Sequence, residues 1–273
     1  SSASDPSVLI AGTLNLTDAK VNYGDLAYNS TNNSGATFTT GTQPKLTTKA
    51  GGYVVLNTPS LGFRDLSTTS SVIDFAKLKT DLASAQQFLK AQGTSSTTQK
   101  AAIIDGKAIS ATSPGVSYLE LKANELSGKD MDFTVAEGST LVINLHVSAA
   151  TGNTFKLGNV KIDGGKDGTS GKETFTSANR ILWNVVFDDS KYNSLVVAAN
   201  NNLYGSFLTT DGTIETNTRI WGQVVANSYI QGDAELHQAL FITDVPEPST
   251  VALGLGAMAL GYAAWRRRRA AKS

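Results

Sequence analysis

The sequence predicts a mainly β protein: a right-handed β-solenoid with one long flanking α-helix and a C-terminal transmembrane helix. Three observations lead to this fold class. Short runs of β-branched residues alternate with Thr, Ser, Asn and Gly, one segment has helical spacing of its apolar residues, and a six-residue pattern recurs near the end. The 273 residues include no cysteine, so the fold is stabilised by burial, without disulfides or thiolate metal sites.

Four apolar runs are the clearest strands. They are Val8–Leu16, Tyr53–Leu56, Thr140–Val147 and Ile181–Phe187, and turn residues follow each at a short distance. Their β-branched composition favours a pleated, partly buried surface.

The segment Val72–Ala91 differs from the strands because its apolar residues recur at gaps of three and four. This spacing predicts one amphipathic helix, at about residues 72–91, that packs on the flank of a sheet. Ser71 and Asp74 form a variant of the capping box, and Gly93 is placed to end the helix. The predicted buried stripe consists of Phe75, Leu78, Leu82, Ala85 and Leu89.

A repeat near the end predicts stacked coils. Leu203–Leu208 aligns with Ile220–Val225 at an offset of 17, with apolar, aromatic, glycine, polar, apolar and apolar residues in the same order. Coils of this length with polar corners are typical of a solenoid, with Phe207 and Val224 pointing inward. A β-sandwich of Greek-key type is the alternative.

The last thirty residues have three ordered parts. A short motif with two prolines stops the preceding element, the uncharged stretch Val251–Trp265 follows, and four arginines, Arg266, Arg267, Arg268 and Arg269, come next. A helix over about 249–265 is short for a bilayer, but the arginines fix its orientation because they stay cytoplasmic.

This tail resembles the PEP-CTERM sorting signal of Gram-negative bacteria that make exopolysaccharide, with Pro246, Glu247 and Pro248 as its motif. The resemblance implies cleavage near that motif by a membrane enzyme, an exosortase. We expect export across the inner membrane, transient anchoring through the tail, and then a place at the cell surface or in the extracellular matrix. The expected domains are residues 1–243 and the sorting signal at 244–273.

Charge and the N-terminus agree with export. The formal charge is zero, but without the four tail arginines and Lys272 the rest of the chain has 18 basic and 23 acidic residues, a net charge of −5. This charge argues against a nucleic-acid partner. The start at Ser1 has neither a basic region nor an apolar core, so we expect a mature or trimmed chain. A gene product beginning at Ser1 with only an added Met would contradict this.

A second resemblance covers most of residues 8–243. Arg180–Asn184, Ile220–Ala226, Gly232–His237 and the opening Val8–Thr17 are similar to the choice-of-anchor A domain. Members are regarded as surface adhesins with a β-helix beside a long helix, joined to varied C-terminal anchors. The family has no assigned catalytic residues, so the resemblance implies a non-catalytic protein.

Residues that could carry catalysis are few. The two histidines, His146 and His237, lack partners at metal-ligand spacing and are interpreted as hydrogen-bonded structural residues. Asp188 and Asp189 are the one adjacent acidic pair, and the following turn residues favour an exposed turn.

The glycine-rich loop 164–172 fails the phosphate-loop pattern, because Lys166 and Glu173 stand where glycine and Ser or Thr are required. Asp163 and Asp167 are weak candidates for a calcium site, and a hairpin tip is the favoured interpretation. We expect no cofactor.

The predicted function is that of an adhesin or an exopolysaccharide-associated matrix protein. Its rigid face would present Thr, Ser, Asn and aromatic side chains to a polysaccharide or to a host or neighbouring surface. A polysaccharide-modifying enzyme dependent on Asp188 or Asp189 is one alternative. Ice binding is another, which a Thr-x-Thr unit in every coil would favour; Thr37–Thr39 and Thr40–Thr42 fit that unit but do not recur at a coil period.

Overall fold

The computed structural model describes residues 75–166 and 177–232 continuously, together with residues 236–237, Phe241 and seven short strands before residue 66. The chain divides into two compact units, Ser1–Leu78 and Lys79–Ser273, and the division falls inside the long helix.

In the first unit, parallel and antiparallel pairs both occur. Strands β1, β3 and β7 form a parallel sheet, and β2 pairs in parallel with β6. Strands β6, β5 and β4 follow as antiparallel neighbours. The bounds are β1 Val8–Ile10, β2 Asp18–Val21, β3 Leu26–Tyr28, β4 Thr37–Thr39, β5 Lys45–Thr47, β6 Tyr53–Leu56 and β7 Phe63–Asp65.

The second unit starts within helix α1, Phe75–Thr94, and continues as short strands. A 3-10 helix, Ser177–Arg180, precedes β15. The strands are β8 Ala102–Ile104, β9 Ala108–Ala111, β10 Gly115–Lys122, β11 Met131–Val135, β12 Ser139–Val147, β13 Thr154–Lys156, β14 Val160–Ile162, β15 Ile181–Phe187, β16 Ser194–Ala198, β17 Asn202–Tyr204, β18 Ser206–Leu208, β19 Thr213–Thr216, β20 Arg219–Trp221, β21 Val224–Val225, β22 Ser228–Gln231 and β23 Leu236–His237.

These strands build a β-solenoid with three sides. One side has the order β10-β12-β15-β18-β21 and a second has β13-β16-β19-β22. The third side contains β14-β11-β9-β8 and β17-β20-β23, joined where the Asn201 side chain bonds both the N–H and the carbonyl of Val160. From β15 onward the chain visits the three sides in turn, three times, and every pair is parallel. Because a Greek-key sandwich is antiparallel, that alternative is wrong. The right-handed sense of the coil stays a prediction.

The predicted repeat is confirmed in the strand register. Leu203 pairs with Ile220, Tyr204 with Trp221 and Phe207 with Val224, all at the offset of 17. Glycine occupies the same position in both copies for a steric reason, because a Cβ at Gly222 would overlap the backbone of Gly205. Gly205 itself has φ +105°, a conformation that side chains rarely adopt.

A third copy continues this repeat. Ile220 pairs with Leu236 and Trp221 with His237, so β23 is the next coil on the third side. Sequence comparison missed this copy because its glycine position holds Gln238.

The core lies inside the three sides and centres on Trp183, which is fully buried. Its ring lies 5.1 Å from Phe155, 5.8 Å from Phe133 and 5.6 Å from Phe207, and it stacks nearly parallel on Phe207. The indole N–H donates to the carbonyl of Tyr204 at 2.8 Å, so this large side chain is buried without an unsatisfied donor.

Helix α1 covers the outer face of the β10-β12-β15-β18-β21 sheet. Leu89 is buried there, and Leu82 and Phe88 pack beside it. Beneath them is an apolar strip, one residue from each of four strands: Tyr118, Val142, Leu182 and Leu208. The helix thus packs on a sheet flank, as predicted, but begins and ends three residues later than the predicted segment.

Two details of the predicted helix are wrong. Leu78 was expected in the buried stripe but is 36% exposed, whereas polar Gln86 is 5% exposed. Gly93 does not end the helix in a left-handed conformation; a Cβ there would overlap Glu120 and Asn144, so it permits close packing. The last carbonyls accept instead from Thr94, Thr98 and Lys100. Ser71 and Asp74 lie outside the described residues.

Within the part of the chain that the structure describes, no helix is both long and apolar enough to cross a membrane. The predicted span at 249–265 lies outside those residues.

Candidate functional site

The side formed by β13, β16, β19 and β22 is all parallel, and among the described residues its outward positions are half-buried or exposed; we call this side the open face. Its inward positions, such as Phe155, Leu195 and Ile214, are fully buried, and the alternate positions point outward. Three outward rows run across the strands in register. The first row is Ser194, Thr213 and Ser228, the second is Thr154, Val196, Glu215 and Ile230, and the third is Lys156 and Ala198.

The open face has regular spacing. Neighbouring strands are about 4.8 Å apart, and outward residues along one strand are about 6.6 Å apart. The first row offers only hydroxyl groups, which both donate and accept hydrogen bonds. The second row combines a carboxylate, Glu215, with the apolar Val196 and with Ile230, which is 51% exposed. The face therefore offers polar and apolar contacts in alternating rows.

The third side is less regular. It is divided between two sheets, and β8 runs antiparallel to β9. Its outward positions include opposed charges, because Asp132 pairs in register with Lys161. This makes the open face the more suitable of the two sides without the helix for an extended ligand.

Aromatic side chains were expected on the binding face, and this expectation is wrong for the solenoid strands. Trp183 and Tyr204 are fully buried, and so is Phe207, for which the inward orientation was predicted and is confirmed. Trp221 and Tyr229 are partly buried and pack against the same core. Their apolar area stabilises the interior, so hydroxyl, carboxylate and aliphatic groups and the exposed Lys156 remain on the open face.

Beneath helix α1, a polar network crosses the covered sheet. Asn184 Nδ2 donates to Asn144 Oδ1 at 2.8 Å and to the carbonyl of Gln86 at 3.3 Å. Asn144 Nδ2 donates to the carbonyl of Leu89 at 3.1 Å. Gln86 in turn donates to the carbonyl of Val185 at 2.5 Å. Both asparagines are fully buried, so these bonds satisfy polar groups that would otherwise be costly, except Asn184 Oδ1, which has no hydrogen-bond partner.

The network ends at a charged cluster around His146. Nε2 of His146 lies 2.6 Å from Glu120 Oε2, and Nδ1 lies 2.6 Å from Asp188 Oδ2. Lys90 of the helix donates to the other Asp188 oxygen at 3.1 Å. The hydrogen bond to Glu120 is the main cause that raises the pKa of His146 above its ordinary value; burial opposes the rise and Asp188 adds to it.

This geometry gives the histidines structural roles. Both ring nitrogens of His146 contact carboxylates, so neither is available to activate a nucleophile or water. His237 stacks on Trp221 with ring centroids 4.3 Å apart. The prediction of hydrogen-bonded structural histidines is thus confirmed for His146.

The acidic pair at the end of β15 is divided between two tasks. Asp188 joins the His146 cluster, which the sequence did not indicate. Asp189 accepts from the backbone N–H groups of Ala149 at 2.7 Å and Lys191 at 2.9 Å, and these bonds lower its pKa. The turn interpretation is confirmed for Asp189.

Of the two weak metal candidates, Asp163 lies among the described residues and Asp167 does not. The Asp163 carboxylate accepts from the N–H and the hydroxyl of Ser177. Among the residues that the structure describes, no cluster of His, Asp and Glu could hold a metal ion. Pro246, Glu247, Pro248 and Arg266–Arg269 also lie outside them, so their roles stay predictions.

The fold and the open face define a class: a β-solenoid domain with a long helix on one side and an all-parallel sheet on another. A family model described as "Putative Ice-binding-like adhesive domain" matches residues 1–238. The chain belongs to this family of adhesive domains. Residues 244–269 match the PEP-CTERM protein-sorting motif. The two matches support an exosortase-sorted, exported surface protein of a Gram-negative bacterium. Membership of the choice-of-anchor A family stays a prediction.

Solved ice-binding proteins are similar over most of the chain. A glycosylated ice-binding protein from an Arctic yeast is 12% identical, covers 87% of this chain and 92% of its own, and gives a TM-score of 0.38. An ice-binding protein of the Antarctic ascomycete Antarctomyces psychrotrophicus is 14% identical, covers 88% of this chain and 93% of its own, and gives a TM-score of 0.30. The DUF3494 domain of Shewanella frigidimarina ice-binding protein 1 is 18% identical, covers 84% of this chain and 97% of its own, and gives a TM-score of 0.36. No curated protein matches this chain.

Proposed function

We propose that this protein is a non-catalytic adhesin that binds a neutral polysaccharide through the open face after sorting by an exosortase. The observation that carries the proposal is the pair of in-register outward rows, Ser194-Thr213-Ser228 and Thr154-Val196-Glu215-Ile230. A rigid sheet holds these groups in fixed positions before binding, which lowers the entropy that a ligand contact would cost.

A polysaccharide fits the chemistry of the open face. Sugar hydroxyls can exchange hydrogen bonds with Ser194, Thr213 and Glu215. The C–H surfaces of sugar rings can contact Val196 and Ile230. Residues 1–243 have 18 basic and 21 acidic residues, a net charge of −3, which disfavours a strongly acidic glycan. The exopolysaccharide of the producing cell and a glycan on a host or neighbouring cell both meet this description.

The binding experiment uses the full chain and the producer's own exopolysaccharide, with dextran as a neutral reference glycan. Thr213→Tyr places a bulky ring in the middle of the first row, so we expect at least about a tenfold loss of affinity. Thr134→Tyr is the matched control because Thr134 is exposed on the third side. Equal affinity of the two variants would contradict the proposed face, and no binding by the unmodified chain would contradict the polysaccharide ligand.

The sorting part of the proposal concerns the tail. Exosortase would cleave near Pro246-Glu247-Pro248, after transient anchoring by the helix at about 249–265 with Arg266–Arg269 in the cytoplasm. Residues 1–243 would then be the released or re-anchored domain, of choice-of-anchor A type. The match of residues 244–269 to the sorting motif supports this route.

Cell fractionation tests the sorting route. The double variant Pro246→Ala/Glu247→Ala should stay in the inner membrane at its full length, whereas the unmodified protein is shortened and reaches the surface. A double alanine variant at Thr243 and Asp244, just before the motif, is the control. Unchanged processing of the motif variant would contradict the proposal.

Ice binding is a second candidate, and one observation favours it. Ser194, Thr213 and Ser228 form an uninterrupted hydroxyl row at strand spacing. Glu215 in the adjacent row opposes this function, because a charged carboxylate holds its own hydration water strongly. Thr37 and Thr39 give no support, since they lie on β4, which pairs antiparallel with β5 and is no coil of the solenoid. Thr40–Thr42 lies outside the described residues.

Ice-recrystallisation inhibition separates the two candidates. An adhesin should leave recrystallisation unchanged at micromolar concentration. Strong inhibition that Thr213→Tyr abolishes would favour ice as the ligand of the same face.

A further inference from the structure

A continuous network of polar side chains joins the C-terminal half of helix α1 to the solenoid. The network starts at Lys90 and Asp188, passes through His146 and Glu120, and reaches Asn144, whose Nδ2 donates to Glu120 Oε1 at 2.6 Å. From there it continues through Asn184 and Gln86 to Thr210. Helix and sheet therefore share one connected set of hydrogen bonds.

Within this network, His146 is the residue whose side chain changes charge near neutral pH. A protonated imidazole donates from both nitrogens and satisfies both carboxylates. A neutral imidazole has a single N–H, so its second nitrogen would direct a lone pair at a carboxylate oxygen 2.6 Å away. One of the two contacts must then lengthen.

The charges around His146 also balance only in the protonated state. Glu120 and Asp188 carry the negative charges, and Lys90 supplies one positive charge from the helix. Lys122 pairs with His146 in the strand register, and its side chain is exposed. Asp189 is engaged with the backbone of Ala149 and Lys191 and does not take part.

The helix end has little room to adjust. A Cβ at Gly93 would overlap both Glu120 and Asn144, so the last turn packs directly on the carboxylate that contacts His146. A movement of Glu120 is therefore a movement under the helix. The apolar strip of Tyr118, Val142, Leu182 and Leu208 lies beneath the same helix.

We infer that Glu120, His146 and Asp188 form a pH-operated latch that holds the C-terminal half of α1 on the solenoid when His146 is protonated and loosens it when His146 is neutral. The latch lies on the side that α1 covers, and not on the open face, so it does not depend on the proposed ligand. The raised pKa of His146 agrees with the geometry. A raised pKa means that the folded state binds the proton of His146 more tightly than the unfolded state does.

Amide hydrogen exchange of the full chain, followed between pH 5 and 9 and corrected for intrinsic rates, tests the latch. Protection of the helix segment 82–94 should fall as pH rises through the pKa of His146. The expected loss is about tenfold for each unit by which the folded state raises that pKa. A proton NMR titration of the His146 ring gives the pKa independently, and a value at or below its ordinary 6.5 would overturn the inference.

Two variants complete the test. His146→Gln should remove the pH dependence of protection at 82–94, because glutamine does not titrate. His237→Gln is the matched control, since the other histidine lies on β23 and stacks on Trp221; it should keep the full pH dependence. A flat profile in the unmodified chain, or the same slope in His146→Gln, would overturn the latch. If His146→Gln does not fold, the profile and titration of the unmodified chain decide.

Discussion

Two sides of the same solenoid differ in what their outward residues contact. The covered side buries polar residues, Asn144 and Asn184, and four of its five strands contact helix α1 through hydrogen bonds or apolar side chains. The open face leaves the corresponding outward positions to solvent, with Ser, Thr, Val and Glu in rows. The difference indicates that substitutions on the covered side change stability, and substitutions on the open face change binding.

The largest stability effect is expected from Leu89→Ala. Leu89 is 3% exposed between helix and sheet, so truncation leaves a cavity and should lower the free energy of unfolding by about 3 kcal/mol. Urea denaturation of the full chain measures this. Val196→Ala on the open face is the control, with an expected change below about 1 kcal/mol. Similar losses in both variants would contradict the division of roles.

A smaller loss, about 2 kcal/mol, is expected from Gly93→Ala. The added methyl group would overlap Glu120 and Asn144, so the helix end must shift. Elsewhere in a helix the same change is stabilising by about 1 kcal/mol, because alanine has the higher helix propensity. Urea denaturation measures the change in the free energy of unfolding. A stabilisation by Gly93→Ala would contradict close packing at the charged cluster.

The pH dependence of stability should reveal the same cluster. Because the pKa of His146 is raised in the folded state, its contribution is fully present below the unfolded value near 6.5 and is lost as pH rises through the folded pKa. Melting temperatures between pH 5 and 9 should fall over that window in the unmodified chain. Glu120→Gln, which removes the main cause of the shift, should weaken this fall; an unchanged slope would count against the assignment.

The smallest stability effect is expected on the open face itself. Thr213→Tyr should change the free energy of unfolding by less than about 0.5 kcal/mol, because the position faces outward. The same variant is expected to lose glycan affinity. A large destabilisation would mean that the face is covered by part of the folded protein and cannot be the binding surface.

Much of the fold could be predicted from the sequence. The offset of 17 between Leu203 and Ile220 reappears directly as strand register, since a coil repeat is a local property of the chain. The helix was predicted because its apolar spacing is also local. The family model and the sorting motif agree with the predicted surface protein, and the tail was recognised from short, ordered motifs.

The candidate sites were harder to predict because they depend on residues far apart in the chain. Glu120 and His146 lie on two strands of one sheet and Asp188 directly follows a third, and nothing in their spacing indicates that they meet. Aromatic residues were expected outside and lie inside for the same reason: which alternate position points inward depends on how the coils close.

The sequence by itself determined the long helix, the coil repeat and the sorting motif of the tail, because each depends on neighbouring residues. The tertiary structure decided that Gln86 is buried while Leu78 is exposed, that Gly93 serves packing and not helix termination, and that His146 bridges two carboxylates. These outcomes arise when helix and sheet pack together, and desolvation and charge then act between residues that the sequence keeps apart.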